Sequence, residues 1–250
     1  PTGASSVTLD FRIFDATNNW WWAVDDIKVF TGAAPAGDGV LRAIVDRTSG
    51  NVKIVNNTGA AVSLRGYSLV SAKGAFNEPN ATFRADSDPN WVQFTAPGAT
   101  GDLSEGHKTS FSLAAGGTID FGNNVWRKFY EDSSDISFNY LVAGNDNPIP
   151  AIVEFTGNSG SSFPFLDLNF NGTIDPGDWD VFRAGFPVSL SGLSTVQKYQ
   201  LGDLDNDGLH TPNDFLAFRT EYNTALGAGA FELMTSGVPE PSAAMFLTMA

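Results

Sequence analysis

The chain has 250 residues, a formal net charge of −14 and a pI near 4.3, which argues against nucleic acid or an anionic membrane surface as a partner. It contains no cysteine, which excludes disulfides, thiolate metal sites and cysteine nucleophiles. With 26 Gly, 13 Pro and 17% charged residues, the composition is typical of β-rich structure with many turns. The chain begins at Pro1 and stops at Ala250 within an apolar run, so we expect it to be a fragment of a longer protein.

The first predicted elements are two strands within residues 1–32, separated by a turn signal. Two strands cannot bury a core alone, so we interpret this segment as the C-terminal strands of a truncated β-sandwich or jelly roll. Its sequence NNWWWAVDDIKV resembles the closing strands of concanavalin-like or MAM-like jelly rolls. Trp20 and Trp22 share one face of the second strand. That face could stack on carbohydrate, or it could form core or a domain contact.

Short strand patterns then recur from residue 40 to residue 156. Residues 40–46 and 51–57 flank a turn signal and predict a hairpin, and further segments of period two follow at 61–72, 109–121, 136–143 and 151–157. The pattern predicts an antiparallel β-sandwich of about seven or eight strands. The segments NVKIVNNTGAAVSLRGYSLVSAKG and SLAAGGTIDFG resemble the lamin-tail-like, immunoglobulin-like sandwiches of exported bacterial proteins.

An internal repeat follows, in which DLNFNGTIDPGD (residues 167–178, the first loop) aligns with DLDNDGLHTPND (residues 203–214, the second loop). Both fit the 12-residue calcium loop, which places oxygen ligands at positions 1, 3, 5, 7, 9 and 12 and Gly at position 6. We predict two bound Ca²⁺ ions, and tighter binding by the second loop because it offers four carboxylates against three. The predicted ligands are Asp167, Asn169, Asn171, the Thr173 carbonyl, Asp175 and Asp178 in the first loop, and Asp203, Asp205, Asp207, the Leu209 carbonyl, Thr211 and Asp214 in the second.

Each loop is predicted to run directly into a helix, because a capping residue, Pro and an acidic residue follow one another at its end. Apolar side chains recur at helical spacing after each loop. The residues before the first loop are poor helix formers, so no helix is predicted to enter that loop. A loop–helix unit repeated twice, with Asp at position 12, resembles type I dockerins. The resemblance implies a small α-helical calcium module at residues 163–224 that docks a cohesin-like partner. Ile174 and His210 differ at position 8, so pairing between the loops is expected to be weak.

Residues 225–250 are predicted to be a flexible tail. Pro239, Glu240 and Pro241, followed by a short apolar run, resemble the start of a PEP-CTERM sorting signal, although a Pro-rich disordered tail is the alternative. The resemblance implies a bacterial protein that is exported, handled by exosortase-type machinery, and extracellular or associated with the cell surface.

No catalytic constellation emerges from the sequence. The acidic residues Glu131, Asp132 and Asp135 could supply a glycosidase pair, but a solvated turn between strands explains them better, and His107 is expected in a solvated loop. The leading hypothesis is therefore an exported, calcium-binding, non-catalytic surface or matrix protein. One alternative is the accessory end of a secreted polysaccharide-degrading glycoside hydrolase with its catalytic domain upstream, and another is a carbohydrate-binding module. The predicted fold is mainly β: an antiparallel sandwich followed by the dockerin-like module.

Overall fold

The computed structural model describes residues 39–132 and 135–236. The predictions for residues 1–32 and for the Pro239–Pro241 motif, and with them Trp20 and Trp22, lie outside the described residues. The described part is mainly β, as predicted. Its strands are β1 (Leu41–Asp46), β2 (Val52–Asn56), β3 (Val62–Ser71), β4 (Trp91–Gln93), β5 (Asp102–Leu113), β6 (Thr118–Gly122), β7 (Ile136–Val142) and β8 (Asn145–Thr156).

Helices follow the strands: α1 (Pro176–Gly185), α2 (Thr195–Gln200), α3 (Pro212–Leu226) and α4 (Ala230–Ser236). Helices α1 and α3 are the two that the repeat predicts. The six-residue α2 was not predicted. Helix α4 and the end of α3 occupy residues that the sequence analysis assigned to the tail, so the helical part extends beyond residue 224.

The first hairpin, β1–β2, forms as predicted. Residues on both strands alternate between buried and half-buried, so that one face enters the core. Asp46 closes the turn, because its carboxylate accepts the Ser49 backbone N–H at 2.7 Å and the Ser49 hydroxyl at 2.8 Å. These hydrogen bonds hold the pKa of Asp46 below its ordinary value of 3.8.

The eight strands form one mixed sheet in the order β4-β5-β3-β7-β8-β1-β2-β6. The prediction of a purely antiparallel arrangement is wrong at one position, because β1 and β8 pair in parallel, from Arg42 opposite Ile152 to Asp46 opposite Thr156. The cause is the length of β8: its first half pairs with β7 and its second half with β1. No local turn connects β1 to β8, so the sequence offered no signal for this pairing.

The sheet curls so that β3 and β6 approach each other across the core. Tyr67 on β3 and Phe121 on β6 have four strands between them in the sheet order, yet their ring centroids are 5.7 Å apart in an edge-to-face contact. Phe83, from the β3–β4 connection, adds a second edge-to-face contact to Phe121 at 6.0 Å. The core therefore lies inside the curl.

The acidic residues at 131–135 do not form the solvated turn that the sequence favoured. Asp132 is 1% exposed and pairs with Arg47 through both carboxylate oxygens, and Asp135 is 4% exposed and accepts the Lys73 backbone N–H at 2.7 Å. Both carboxylates are thus occupied by structural partners, whereas Glu131 is exposed and pairs with Lys73. His107 also departs from its prediction, since it lies on β5 with its ring 5.3 Å from that of Trp91.

Candidate metal centre

The two repeated loops end as the sequence predicts, each in a capped helix. Asp175 caps α1 by accepting the Gly177 N–H at 2.7 Å, and Thr211 caps α3 by accepting the Asn213 N–H at 3.1 Å. In turn, the acidic residue at position 12 of each loop, Asp178 or Asp214, accepts the backbone N–H of the cap residue. These reciprocal capping boxes fix the last carboxylate of each loop relative to the helix axis.

Position 6 of each loop has the backbone conformation that the calcium loop requires. Gly172 has φ +93° and Gly208 has φ +84°, a left-handed region that a side chain rarely tolerates. In both loops the N–H of this glycine donates to the first carboxylate of the loop, to Asp167 at 2.8 Å and to Asp203 at 3.1 Å. The turn therefore folds the chain back onto the first predicted ligand.

Three carboxylates converge in the second loop. Asp203, Asp205 and Asp214 each offer an oxygen, and these oxygens lie within 4.8 Å of one another. Asp203 and Asp214 are buried, at 2% and 0% exposure, whereas Asp205 is exposed. Among residues 39–132 and 135–236, no other group of three acidic or histidine side chains comes together in this way.

One oxygen of this cluster is left without a partner. Asp203 Oδ2 accepts the Gly208 N–H, but Asp203 Oδ1 is shielded from solvent and accepts no hydrogen bond. Burial raises the pKa of Asp203, and the neighbouring charge of Asp214 raises it further. A buried, unpaired carboxylate oxygen beside two further carboxylates is costly, and a bound cation would satisfy it.

The first loop shares most of these internal hydrogen bonds with the second, but in it both oxygens of the first carboxylate, Asp167, are occupied. Asp167 accepts the N–H groups of Asn171 and Gly172, Asp178 accepts those of Asn169 and Asp175, and Asp175 accepts the Asn171 side-chain amide at 2.8 Å. Burial raises the pKa of both Asp167 and Asp178. The predicted metal ligands of the first loop are also all oxygen atoms, but none of its buried side-chain oxygens lacks a hydrogen-bond partner.

The remaining predicted ligands lie at the loop surfaces. Asp207 is exposed, accepts the Leu209 N–H at 2.8 Å and does not belong to the three-carboxylate cluster. In the first loop, Asn171 accepts the N–H and the hydroxyl of Thr173, at 2.9 and 2.8 Å. The sequence identified these residues as members of a set, but it could not rank them by burial.

A small aromatic core holds the two loops side by side. Phe182 on α1 and Phe218 on α3 have ring centroids 5.1 Å apart, and Trp179 stands 5.3 Å from Phe218. Phe231 of α4 closes this core at 5.1 Å from Trp179 and is 5% exposed. Phe186, the residue that follows α1, is 46% exposed and lies outside this core.

A groove of about 860 Å³ forms a second candidate site, on the outer face of the sheet. Part of its floor is low because β3 and β5 place small residues opposite each other there, with Gly66 opposite Gly106 and Ser68 opposite Ser104. Phe94 stands at one side, 67% exposed, and its ring edge approaches Gly106 where a side chain would collide with it. The groove thus offers an exposed aromatic ring.

No protein-family model matches the chain, and no curated protein matches it. One solved structure, a GH20 exo-β-N-acetylglucosaminidase from Vibrio harveyi in complex with N-acetylglucosamine, aligns with 50% of this chain and 18% of its own, at 13% identity and a TM-score of 0.26. The match spans less than a fifth of that enzyme, and so low a TM-score establishes no shared fold or activity. None of the described helices is long and apolar enough to cross a membrane.

Proposed function

We propose that this chain is a calcium-binding, non-catalytic module of an exported bacterial protein, and that calcium folds its repeated loops into a dockerin-like docking domain. The observation that carries the proposal is the unpaired, buried Oδ1 of Asp203 within the cluster of three carboxylates. A site built from carboxylate, amide, hydroxyl and carbonyl oxygens, without sulfur or imidazole ligands, suits a hard cation. Each 12-residue loop with Gly at position 6 suits calcium in particular.

Isothermal titration calorimetry of calcium into the whole chain tests this proposal. We expect two sites in the wild type, and loss of the tighter one in Asp203→Asn. The matched control is Asp180→Asn on α1, which removes the same charge from an exposed surface ion pair with Arg183 and leaves both sites in place. If the wild type binds no calcium, or if both variants lose a site equally, the proposal fails.

The docking role is supported by the outer face of α3. Leu216, 51% exposed, lies on one face of this helix with Thr220, and this face is bordered by Arg219 and Asn223, which bond to Glu232 of α4. We propose that this face contacts a cohesin-like domain or another surface protein once calcium has fixed the helix. Calcium-dependent binding to a panel of cohesin domains, abolished by Leu216→Asp and by EDTA, is the expected result. Binding that persists in EDTA would contradict it.

The finer assignments belong to the same proposal: an immunoglobulin-like sandwich of lamin-tail type for residues 40–156 and a PEP-CTERM sorting signal at residues 239–241. The sorting signal is supported by the Pro-Glu-Pro motif and the apolar run after it. In a bacterium with exosortase machinery, a Glu240→Ala chain should be retained or processed differently from the wild type. Identical processing of both chains would argue for an ordinary tail.

A second candidate function is the binding of a neutral polysaccharide in the sheet groove, which would suit the accessory end of a polysaccharide-degrading enzyme. Phe94 is the specific observation, since the face of an aromatic ring attracts the C–H groups of a sugar ring. Titration with neutral oligosaccharides should show weak binding that Phe94→Ala abolishes. Ile152→Ala, which alters a side chain 40% exposed outside the groove, is the control and should leave binding unchanged.

A further inference from the structure

Helix α2 lies between the two calcium loops along the chain, and it is attached to the sheet. The Val196 side chain is fully buried, and the Val196 N–H donates to the Lys73 carbonyl at 3.1 Å. The Ser194 hydroxyl donates to the Gly74 carbonyl at 2.8 Å. Both acceptors lie in the turn that follows β3, so the start of α2 is tied to the sheet by backbone and side-chain bonds.

The opposite end of α2 meets a second part of the sheet domain. The Gln200 side-chain amide donates to the Lys128 carbonyl at 2.9 Å. The ring of Tyr199 lies 5.2 Å from Phe129 and 5.0 Å from Tyr130, both in the segment between β6 and β7. Aromatic contacts of this kind stabilise the attachment beyond the area they bury.

The same helix also contacts the start of both loops. The Tyr199 hydroxyl donates to the Phe165 carbonyl at 2.7 Å, two residues before Asp167, the first predicted ligand of the first loop. The Lys198 carbonyl accepts the N–H of Asp203, the first predicted ligand of the second loop, at 3.1 Å. An isolated six-residue helix is unstable in water, so α2 depends on contacts from both sides.

We propose that the sheet and the two calcium loops form one cooperative unit that is coupled through α2. The sheet holds α2 in place, and α2 in turn fixes the backbone at the first ligand of each loop before calcium arrives. By thermodynamic reciprocity, calcium binding strengthens the attachment of α2 to the sheet by the same factor that the sheet strengthens calcium binding. This inference rests on the proposed calcium binding.

Two glycines give a matched test in the whole chain. A side chain at Gly74 (φ +73°) would put its Cβ 2.5 Å from the Ser194 Cβ, whereas one at Gly98 (φ +76°) would meet no atom within 4 Å. Gly74→Ala and Gly98→Ala therefore carry a similar backbone strain, but only Gly74→Ala pushes α2 away from the sheet. We expect calcium to bind about five- to tenfold more weakly to Gly74→Ala and with unchanged affinity to Gly98→Ala.

Calorimetry would measure the affinities, and hydrogen exchange of β3 with and without calcium would report the reverse coupling. In the wild type and in Gly98→Ala, calcium should slow exchange in β3, and in Gly74→Ala this effect should shrink. The coupling would be overturned, with the calcium sites left intact, if the two variants bound calcium with equal affinity. It would also be overturned if bound calcium did not change hydrogen exchange in wild-type β3. A wild type that binds no calcium would instead refute the proposed function and, with it, this inference.

A second variant, at the opposite end of α2, tests the coupling even if Gly74→Ala fails to fold. Gln200→Ala removes the hydrogen bond to the Lys128 carbonyl and leaves the sheet and every predicted ligand unchanged. We expect about a two- to fivefold weaker calcium affinity, as for the loss of one hydrogen bond. Wild-type affinity in this variant would contradict the coupling.

Discussion

Removing one partner of the buried pair between Arg47 and Asp132 should be among the most destabilising single changes in the sheet. Arg47 donates from both Nε and Nη2 to the two carboxylate oxygens, and the residues are 6% and 1% exposed. The change to make is Asp132→Ala. The Arg47 guanidinium then stays buried without its carboxylate partner, over the Phe155 ring at 5.1 Å. The change also removes the acceptor of the Ser162 hydroxyl.

Removing one partner of a buried pair typically costs about 3–5 kcal/mol, because the other charge stays buried without compensation. Urea unfolding at pH 7 in saturating calcium would measure the loss. The control is Asp146→Ala, which breaks the ion pair to Arg65 where the two side chains are 94% and 45% exposed, and it should cost less than about 1 kcal/mol. The double variant Arg47→Met with Asp132→Leu should recover most of the loss, since it buries no charge.

The reasoning is refuted if Asp132→Ala costs no more than Asp146→Ala. That result would mean that water reaches the pair, and Asp132 would again be available as a functional carboxylate. A large loss in Asp132→Ala together with recovery in the double variant would establish that its role is structural.

Three further predictions concern the turn of the second loop, the first hairpin and the last helix. Gly208→Ala should weaken calcium binding at the second loop by about 1–2 kcal/mol, as seen by calorimetry, because φ +84° is strained for any side chain. The pKa of Asp46 is lower in the folded protein than its ordinary 3.8, so its contribution to stability is present above about pH 4 and is lost as the pH falls further. Between pH 7 and pH 3, the wild type should therefore lose more stability than Asp46→Asn, as measured by urea unfolding. Phe231→Ala should destabilise the helical part by about 3–5 kcal/mol in thermal unfolding with calcium, whereas a mobile tail would give no change.

Local chemistry explains what could be predicted from the sequence. The capping boxes at Asp175 and Thr211 involve residues within three positions of each other, so the starts of α1 and α3 could be read directly. The β1–β2 hairpin follows from alternation and a short turn for the same reason. In these elements the decisive contacts are close in sequence.

The missed features depend on distant partners. Asp132 is buried because Arg47, 85 residues earlier in the chain, meets it, and no pattern around position 132 reveals that contact. Helix α2 has only two buried residues, Val196 and Tyr199. This apolar pattern is too short to predict a helix without knowledge of the sheet against which it packs. The unpaired oxygen of Asp203 is likewise a property of the folded loop, since the spacing of the repeat marks every acidic position in it equally.

The parallel pairing of β1 with β8 also means that the sheet can close only when a late part of the chain is present. Arg42 pairs with Ile152, so one edge of β1 remains open while more than a hundred residues are still to be made. Contacts at such long sequence separation slow folding, and an open strand edge invites association with other chains. The last strand along the chain is β8, and the first of the two repeated loops follows it within about a dozen residues. The sheet can therefore close only shortly before the first of the two repeated loops is complete.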